Sequence, residues 1–169
     1  VKRRSEGTPV AYLVEEREFF SLPFKVTPSV LIPRPETETL VVLALTYLQS
    51  LAAKTSLPRV IDVGSGSGAI AIALAKHFPD AEYHAVDIST EALAIAQENS
   101  LRHGLAEKIQ FNHGDLLSGQ TEGAFDLIVS NPPYVSEAEY TALPRDVKDH
   151  EPRLALVGGP KGDELFQRL

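Results

Sequence analysis

The 169-residue sequence contains no cysteine, no methionine and no tryptophan. The lack of cysteine excludes disulfides, thiolate metal sites and cysteine nucleophiles, and it agrees with the cytoplasmic location that we expect. No apolar stretch approaches the ~18 residues that a membrane span needs. Basic residues are outnumbered, 16 against 23 acidic ones, so the net charge of −7 argues against binding to nucleic acid. The remaining composition, 43% hydrophobic and 23% charged, is that of a globular protein.

Residues 1–35 differ in texture from the rest and hold five of the 12 prolines. We predict short extended pieces over 18–26 and 29–32, with a turn at Thr27-Pro28 between them. From Glu36 onward the apolar residues recur at helical spacing, so a helix should begin there. This division predicts a connecting segment with a short β-hairpin over 1–35 and a second unit over 36–169.

Short apolar segments alternate with helical ones after residue 58. This alternation predicts an α/β fold, a doubly wound parallel sheet whose strands are joined by right-handed crossovers. The strand order should be 3-2-1-4, with the fourth strand at an open edge. That strand is apolar enough to expect neighbours on both sides, so we expect further C-terminal strands to be missing from this chain. The predicted strands are 59–63, 82–86, 108–112 and 125–130, and the predicted helices are 68–77, 89–103 and 163–169.

A glycine-rich turn, Val-Gly-Ser-Gly-Ser-Gly over 63–68, connects the first strand to a helix. Its glycines let the backbone turn sharply and let a ligand approach without meeting a Cβ. Asp87 ends the second strand, at the spacing expected of a carboxylate that accepts both ribose hydroxyls. The pattern predicts a site for a nucleotide-containing cofactor.

Two cofactors remain open on this pattern. Residues 64–69 also satisfy the dinucleotide fingerprint, so an NAD enzyme is allowed. Asp62 favours S-adenosylmethionine, because its negative charge would repel a pyrophosphate but attract an ammonium and a sulfonium. The Asp115-Leu116 pair after the third strand offers a carboxylate and an apolar side chain for an adenine.

The tetrapeptide Asn131-Pro-Pro-Tyr134 follows the fourth strand directly. In this fold the carboxyl ends of strands one and four flank the ligand crevice, so the tetrapeptide should meet the glycine loop. The Asn131 side-chain oxygen and the Pro132 carbonyl can accept both N–H hydrogens of a planar amide or amine. Pro133 stiffens the turn, and Tyr134 offers a flat face. Such a pair of acceptors would direct the nitrogen lone pair at a methyl carbon without a general base or a metal.

These motifs resemble the class I S-adenosylmethionine-dependent methyltransferases, and among them the peptide-chain release factor glutamine methyltransferase family. The resemblance extends to Leu31-Ile-Pro-Arg-Pro-Glu-Thr-Glu38, to Arg17-Glu-Phe-Phe-Ser-Leu-Pro-Phe24 and to His150-Glu-Pro-Arg-Leu-Ala-Leu156. It implies methyl transfer from S-adenosylmethionine to the glutamine amide in the Gly-Gly-Gln motif of class I release factors. Those factors would be the protein partner, with no nucleic acid and no membrane involved.

The resemblance also implies a role for each matching residue. The cofactor would contact Gly64, Ser65, Gly66, Ser67, Gly68, Asp87, Asp115, Leu116 and Asn131. The substrate would contact Asn131, Pro132, Pro133 and Tyr134, of which Asn131, Pro132 and Tyr134 would be catalytic, and no metal is expected. Some relatives carry an aromatic residue where Leu116 stands. The resemblance further implies that 1–35 links to a helical domain absent from this chain and that 36–169 is a catalytic domain shortened at its C-terminus.

Other functions use similar motifs. A DNA adenine methyltransferase would need a basic cleft and a target-recognition region, neither of which the sequence offers. A ribosomal-protein glutamine methyltransferase is closer in chemistry and is disfavoured by Arg34-Pro-Glu-Thr37. A nucleotide-binding regulatory module without catalysis would have no use for the tetrapeptide. Of the five histidines, His150 beside Glu151 is the candidate for a role near the substrate.

Overall fold

The computed structural model describes residues 2–52, 57–119 and 125–169. Its strands are β1 (Glu16–Phe19), β2 (Leu22–Lys25), β3 (Arg59–Val63), β4 (Glu82–Asp87), β5 (Ile109–His113), β6 (Leu127–Ser130), β7 (Val135–Ser136) and β8 (Val157–Gly159). Its α-helices are α1 (Lys2–Ser5), α2 (Val10–Val14), α3 (Glu38–Ala52), α4 (Ala69–His77), α5 (Thr90–Arg102), α6 (Glu137–Ala142), α7 (Arg145–Lys148) and α8 (Glu164–Arg168). Two short 3-10 helices span Pro35–Thr37 and Arg153–Ala155.

The central sheet is parallel and has the order β5-β4-β3-β6. This confirms the predicted fold class and the predicted 3-2-1-4 order. Strand β3 lies in the middle, where Val60, Ile61 and Val63 are buried. Strand β6 lies at an edge, and Ile128 on it is 46% exposed.

Two apolar layers cover the sheet. On one face, residues of α3 and α4, among them Leu48 and Leu74, pack with Val60 of β3 in the largest core cluster. On the other face, Ile61 and neighbouring strand residues pack against Leu116 and the loop after β5. The central strands are therefore packed on both faces, and the loops at their carboxyl edge start from this core. No helix in the described ranges is long and apolar enough to cross a membrane.

Strands β1 and β2 form the hairpin predicted within 1–35, but its turn lies elsewhere than expected. The chain reverses at Phe20 and Ser21, whose φ angles of 52° and 58° are those of a two-residue hairpin turn. A turn does begin at Thr27, where Val30 N donates to Thr27 O at 3.0 Å. Residues 29–32 are not a strand, so the prediction of an extended piece there is wrong. Neither Phe nor Ser is typical of positive φ, which is why the pattern concealed the true turn.

Candidate functional site

A crevice of about 510 Å³ opens at the carboxyl ends of β3, β4 and β6. Its position is set by the sheet, because Val63 and Ser130 are paired in register at the ends of β3 and β6. Ser130 Oγ also donates to the Val63 carbonyl at 2.7 Å. The next residues along the two strands, Gly64 and Asn131, both line the crevice. The structure thus brings the glycine loop and the tetrapeptide together, as the sequence predicted.

The glycine loop has the open geometry that a bound group requires. Gly64 and Gly66 have φ angles of 74° and 55°, and a Cβ added to either would meet no atom within 4 Å. Both line the crevice, so the space that their missing side chains leave is available to a ligand. Ser65 Oγ, in the same loop, is buried and has no hydrogen-bond partner in the described structure. The loop therefore fits a cofactor that brings its own polar group.

Gly68 has a different role, since it does not contribute to the crevice wall as Gly64 and Gly66 do. A Cβ there would lie 3.0 Å from Ile72 Cδ1 and 3.1 Å from Ala96 Cβ. Its absence lets α4 and α5 pack closely behind the loop. Buried Asn99 of α5 adds a clamp, because its Nδ2 donates to the Ser67 carbonyl at 2.9 Å and to the Lys25 carbonyl at 3.0 Å. Helix α5 therefore holds the loop in place and ties it to the hairpin.

Asp87 faces the crevice from the end of β4 with its carboxylate already oriented. Its Oδ2 accepts a hydrogen bond from Gly66 N at 2.8 Å, and its Oδ1 accepts one from Ser89 N at 2.9 Å. Each carboxylate oxygen keeps a further lone pair for a ligand hydroxyl. The contact with Gly66 couples this side chain to the glycine loop.

Asp62 lies behind the glycine loop rather than on the crevice wall. It is 1% exposed, and its Oδ2 accepts a hydrogen bond from Ala71 N, in the first turn of α4, at 3.1 Å. Its Oδ1 has no partner in the described structure. Burial raises the pKa of this carboxyl to about 7; the bond from Ala71 opposes the rise, and the charge of Asp87 adds to it. A buried and readily protonated acid thus lies against the first turn of α4, so the predicted negative charge at this point is weaker than the sequence suggested.

Asp115 and Leu116 line the crevice at its far end, beyond β5. Leu116 adopts a φ of 52° and packs against the sheet face. Asp115 forms an ion pair with Arg168 of α8 at 2.6 Å. The ion pair between Asp115 and Arg168 was not predicted, because an ion pair between distant segments leaves no pattern in the local sequence.

Three of the four tetrapeptide residues line the crevice. Asn131 Nδ2 donates to Thr37 Oγ1 at 3.4 Å, so its amide nitrogen is turned toward the 3-10 helix before α3 and Oδ1 is left for another donor. Pro132 is buried and lines the crevice together with Pro133. Tyr134 is 63% exposed and lies outside the described crevice lining, so its proposed packing on a substrate stays a prediction.

A further wall of the crevice was not predicted from the sequence. It is formed by the chain between β2 and α3 and includes Pro33, Arg34 and Thr37. Buried Glu151 holds this wall, because its carboxylate accepts from Ile32 N at 3.1 Å and pairs with Arg34. The segment 31–38 carried the family resemblance, which was the available signal. His150, the histidine singled out beside Glu151, has a buried Nδ1 without a partner and is not part of the described lining.

The predicted site residues thus fall into two groups. Tyr134 and Gly68 lie off the crevice wall. The residues that line it are Gly64, Ser65, Gly66, Ser67, Asp87, Asp115, Leu116, Asn131, Pro132 and Pro133.

The charges around the crevice leave its floor negative. The three lining arginines each pair with a carboxylate: Arg34 with Glu151, Arg153 with Glu137, and Arg168 with Asp115. Among the described residues, the Asp87 carboxylate has no cationic partner, and Asp62 behind it, with a pKa of about 7, carries only part of a negative charge. Such a floor suits a cationic ligand and disfavours a pyrophosphate. No group of three His, Asp or Glu side chains in the described ranges could hold a metal ion.

Comparison with known proteins finds a match over most of the chain. Residues 44–155 match the family described as methyltransferase small domain. A protein of Rhodopirellula baltica named release factor glutamine methyltransferase is 46% identical over 100% of this chain and 57% of its own length. A protein of the same name from Nitratidesulfovibrio vulgaris is 50% identical over 97% of this chain and 54% of its own length. These relatives confirm the resemblance, and the chain spans little more than half of their length.

Solved structures share the fold. The hMettl16 catalytic domain, in a complex with a 3′UTR hairpin, has a TM-score of 0.67 at 18% identity over 90% of this chain and 56% of that chain. The N-terminal domain of human METTL16, in complex with SAH, has a TM-score of 0.54 at 21% identity over 70% of this chain and 49% of that chain. At these identities the likeness concerns the fold alone.

Proposed function

Because the chain belongs to the methyltransferase small domain family, we propose that it binds S-adenosylmethionine in the crevice and methylates a side-chain amide nitrogen of glutamine. The observation that carries this proposal is the meeting of two loops at one sheet edge. The glycine loop follows β3 and lies next to Asp87. The tetrapeptide follows β6, the neighbouring strand, and lines the same crevice. One loop suits a nucleoside cofactor, and the other suits a planar acceptor.

The charge distribution favours S-adenosylmethionine over a dinucleotide. A dinucleotide needs free N–H groups at the start of α4 for its pyrophosphate. Here Asp62 accepts from Ala71 N, and Asp87 accepts from Gly66 N. The Asp87 carboxylate would repel a pyrophosphate, whereas it would attract an ammonium and a sulfonium. Asp62, with a pKa of about 7, adds only part of a charge from behind the loop.

The chain's residues would divide the cofactor and the substrate between them. The residues 64–67 would hold the methionine part, Asp87 the ribose hydroxyls, and Asp115 with Leu116 the adenine. When bound, S-adenosylmethionine supplies an electrophilic methyl group on its sulfonium. Asn131 Oδ1 and the Pro132 carbonyl would accept both N–H hydrogens of the substrate amide, which draws the nitrogen lone pair out of conjugation and aims it. Thr37 would keep the Asn131 amide in the orientation that offers oxygen.

The substrate that we propose is the glutamine in the Gly-Gly-Gln loop of class I release factors. The names of the relatives support this choice. A loop substrate also suits a crevice walled by the segments 29–34 and 152–155, because a flat amide flanked by glycines can enter it without side-chain collisions. Residues 1–35 would then connect this catalytic unit to a preceding helical domain. Cytoplasmic translation factors as partners agree with a cytoplasmic location.

A labelled-methyl assay tests the proposal. The full-length protein is offered a release factor, the same factor with its loop glutamine changed to Asn, a ribosomal protein and duplex DNA. We expect methyl transfer to the release factor alone. Transfer to the Asn variant at an equal rate, or to DNA or the ribosomal protein in preference, would refute the substrate assignment.

The Asn131→Ala variant tests the chemistry. Loss of one preorganised acceptor should lower turnover about 100- to 1,000-fold, while affinity for S-adenosylhomocysteine changes far less. Asn112→Ala is the matched control, because Asn112 lies at the end of β5 and makes a single long hydrogen bond to the Gln110 carbonyl. An Asn131→Ala protein at full turnover would contradict the assignment.

A further inference from the structure

Two buried glycines, Gly158 and Gly162, lie against the tetrapeptide, and Gly158 also lines the crevice. A Cβ added to Gly158 would stand 2.4 Å from the carbonyl oxygens of both Pro133 and Gly162, and one added to Gly162 would stand 2.4 Å from the Tyr134 carbonyl oxygen. Both distances are far below any real Cβ contact, and in both the obstacle is backbone. Strand β8 and the turn after it therefore approach the tetrapeptide more closely than residues with side chains would allow.

Glycine is needed at position 158 because a Cβ would not fit there, and not because of its backbone conformation. Its φ lies outside the left-handed range, whereas Gly162 combines close contact with a φ of 93°. Strand β8 is paired with β7, and Val135 N donates to the Leu156 carbonyl at 2.9 Å, immediately after the tetrapeptide. The two backbones are thus fastened together just where Gly158 touches Pro133.

The turn that carries Gly162, directly after β8, is held from within by Glu164. The Glu164 carboxylate accepts hydrogen bonds from Lys161 N at 3.0 Å and from Gly162 N at 2.9 Å. The hydrogen bond from the Lys161 backbone is the main reason that the pKa of Glu164 is lowered. The carboxylate also fills the space beside Gly159, where a Cβ would stand 2.4 Å from Oε2. The surface that supports the tetrapeptide is therefore an ordered turn.

We propose that Gly158 is a positioning residue for methyl transfer, acting through Pro133 on the direction of the Pro132 carbonyl. This inference rests on the proposed function, in which that carbonyl accepts a hydrogen bond from the substrate amide. The Pro133 ring fixes its φ near −65°, so Pro133 cannot absorb a displacement by turning about its N–Cα bond. A push on the Pro133 carbonyl is then relieved by rotation about the Pro133 Cα–C bond or by a shift of the tetrapeptide backbone, and such a shift moves the Pro132 carbonyl.

The alternative is that Gly158 only permits tight packing and contributes to stability alone. The two roles differ in what a Cβ would change. If packing alone matters, Gly158→Ala lowers stability and leaves turnover per folded molecule intact. If positioning matters, turnover falls while the cofactor loop, on the other side of the crevice, keeps its affinity.

The experiment measures kcat on a release factor, the Kd of S-adenosylhomocysteine and the Tm for full-length wild type, Gly158→Ala and Gly104→Ala. Gly104 is the control, because its φ of 72° makes Ala strained there while nothing lies within 4 Å of the added Cβ. We expect Gly158→Ala to lose about 10- to 100-fold in kcat, at a temperature below its Tm, with Kd unchanged. Gly104→Ala should lose stability and keep its kcat.

Full kcat in Gly158→Ala, a parallel loss of kcat and cofactor affinity, or an equal loss in Gly104→Ala would each overturn the inference. If Gly158→Ala does not fold, Glu164→Ala replaces it, because it loosens the same turn without a clash, and the same criteria apply. A wild-type protein that methylates no release factor would refute the proposed function itself, and the positioning role with it. Wild-type activity with an unaffected Gly158→Ala refutes only the positioning role.

Discussion

Replacing Asp87 with Ala should separate what this carboxylate does for the loop from what it does for the cofactor. In the protein it already accepts hydrogen bonds from Gly66 N and Ser89 N. A carboxylate offers about four lone-pair sites, so roughly two remain for the ribose hydroxyls. The substitution removes the hydrogen bonds to the backbone and those to the ribose at once. The contribution of the ribose hydroxyls to binding must therefore be measured separately.

The expected loss follows from the number of hydrogen bonds. A hydrogen bond to a charged group contributes roughly 1.5–3 kcal/mol, so two to the ribose would contribute about 3–6 kcal/mol. Asp87 is half-buried, which places the expectation at the lower end of that range. A loss of about 3 kcal/mol corresponds to an approximately 100-fold weaker Kd for S-adenosylhomocysteine.

Calorimetric titration of two ligands into two proteins isolates the ribose contribution. The ligands are S-adenosylhomocysteine and its 2′,3′-dideoxy analogue, and the proteins are wild type and Asp87→Ala. Removing the hydroxyls should cost wild type about 100-fold in affinity and should cost Asp87→Ala almost nothing, because their acceptor is already gone. Asp126→Ala is the control, since Asp126 also accepts a backbone N–H, that of Arg59, at the opposite end of the sheet. An equal hydroxyl effect in wild type and Asp87→Ala would refute the assignment of Asp87 to the ribose.

Two further predictions concern stability. Asp62 holds its proton more tightly when folded, with a pKa of about 7 against an ordinary value of 3.8. The free energy of unfolding of the unliganded protein should therefore fall as pH rises from about 4 to 7. Chemical denaturation of the Asp62→Asn variant should show no such fall. Equal pH dependence in wild type and Asp62→Asn would contradict this prediction. Gly68→Ala should lower the free energy of unfolding by about 1–3 kcal/mol, because its Cβ meets Ala96 and Ile72, and Gly64→Ala should cost less. Equal losses at the two glycines would contradict the close packing behind the loop.

The parts of the fold that could be predicted are those that depend on residues close together in the sequence. The strand order was predicted from three local patterns. These are the apolar strand segments, the glycines that follow strands and helices, and the alternation of strands with helices. The same patterns placed Gly64 and Asn131 at one edge, since parallel strands end together. The hairpin turn at Phe20 and Ser21 escaped prediction because tertiary packing of Phe19 and Phe24 into the core overrides what the turn residues prefer.

The rest of the site depends on contacts between segments far apart in the chain. Glu151 pairs with Arg34 of the crevice wall, which lies 117 residues away in the sequence. Arg168 pairs with Asp115, which lies 53 residues away. The close approach of Gly158 to Pro133 belongs to the same class, because a glycine pair near the end of the chain has no periodicity that reveals its neighbour. Such contacts follow only from the assembled backbone.

The register between β3 and β6 is the feature on which the two halves of the site jointly depend. Val63 and Ser130 are paired, and the Ser130 hydroxyl donates to the Val63 carbonyl. Gly64 and Asn131 consequently leave the sheet at the same level, and both line the crevice. A slip of one residue would turn every side chain of β6 to the other face and would move Asn131 off the crevice. Buried Val129, packed in the main core, opposes such a slip, so a core residue of this edge strand helps to keep Asn131 at the crevice.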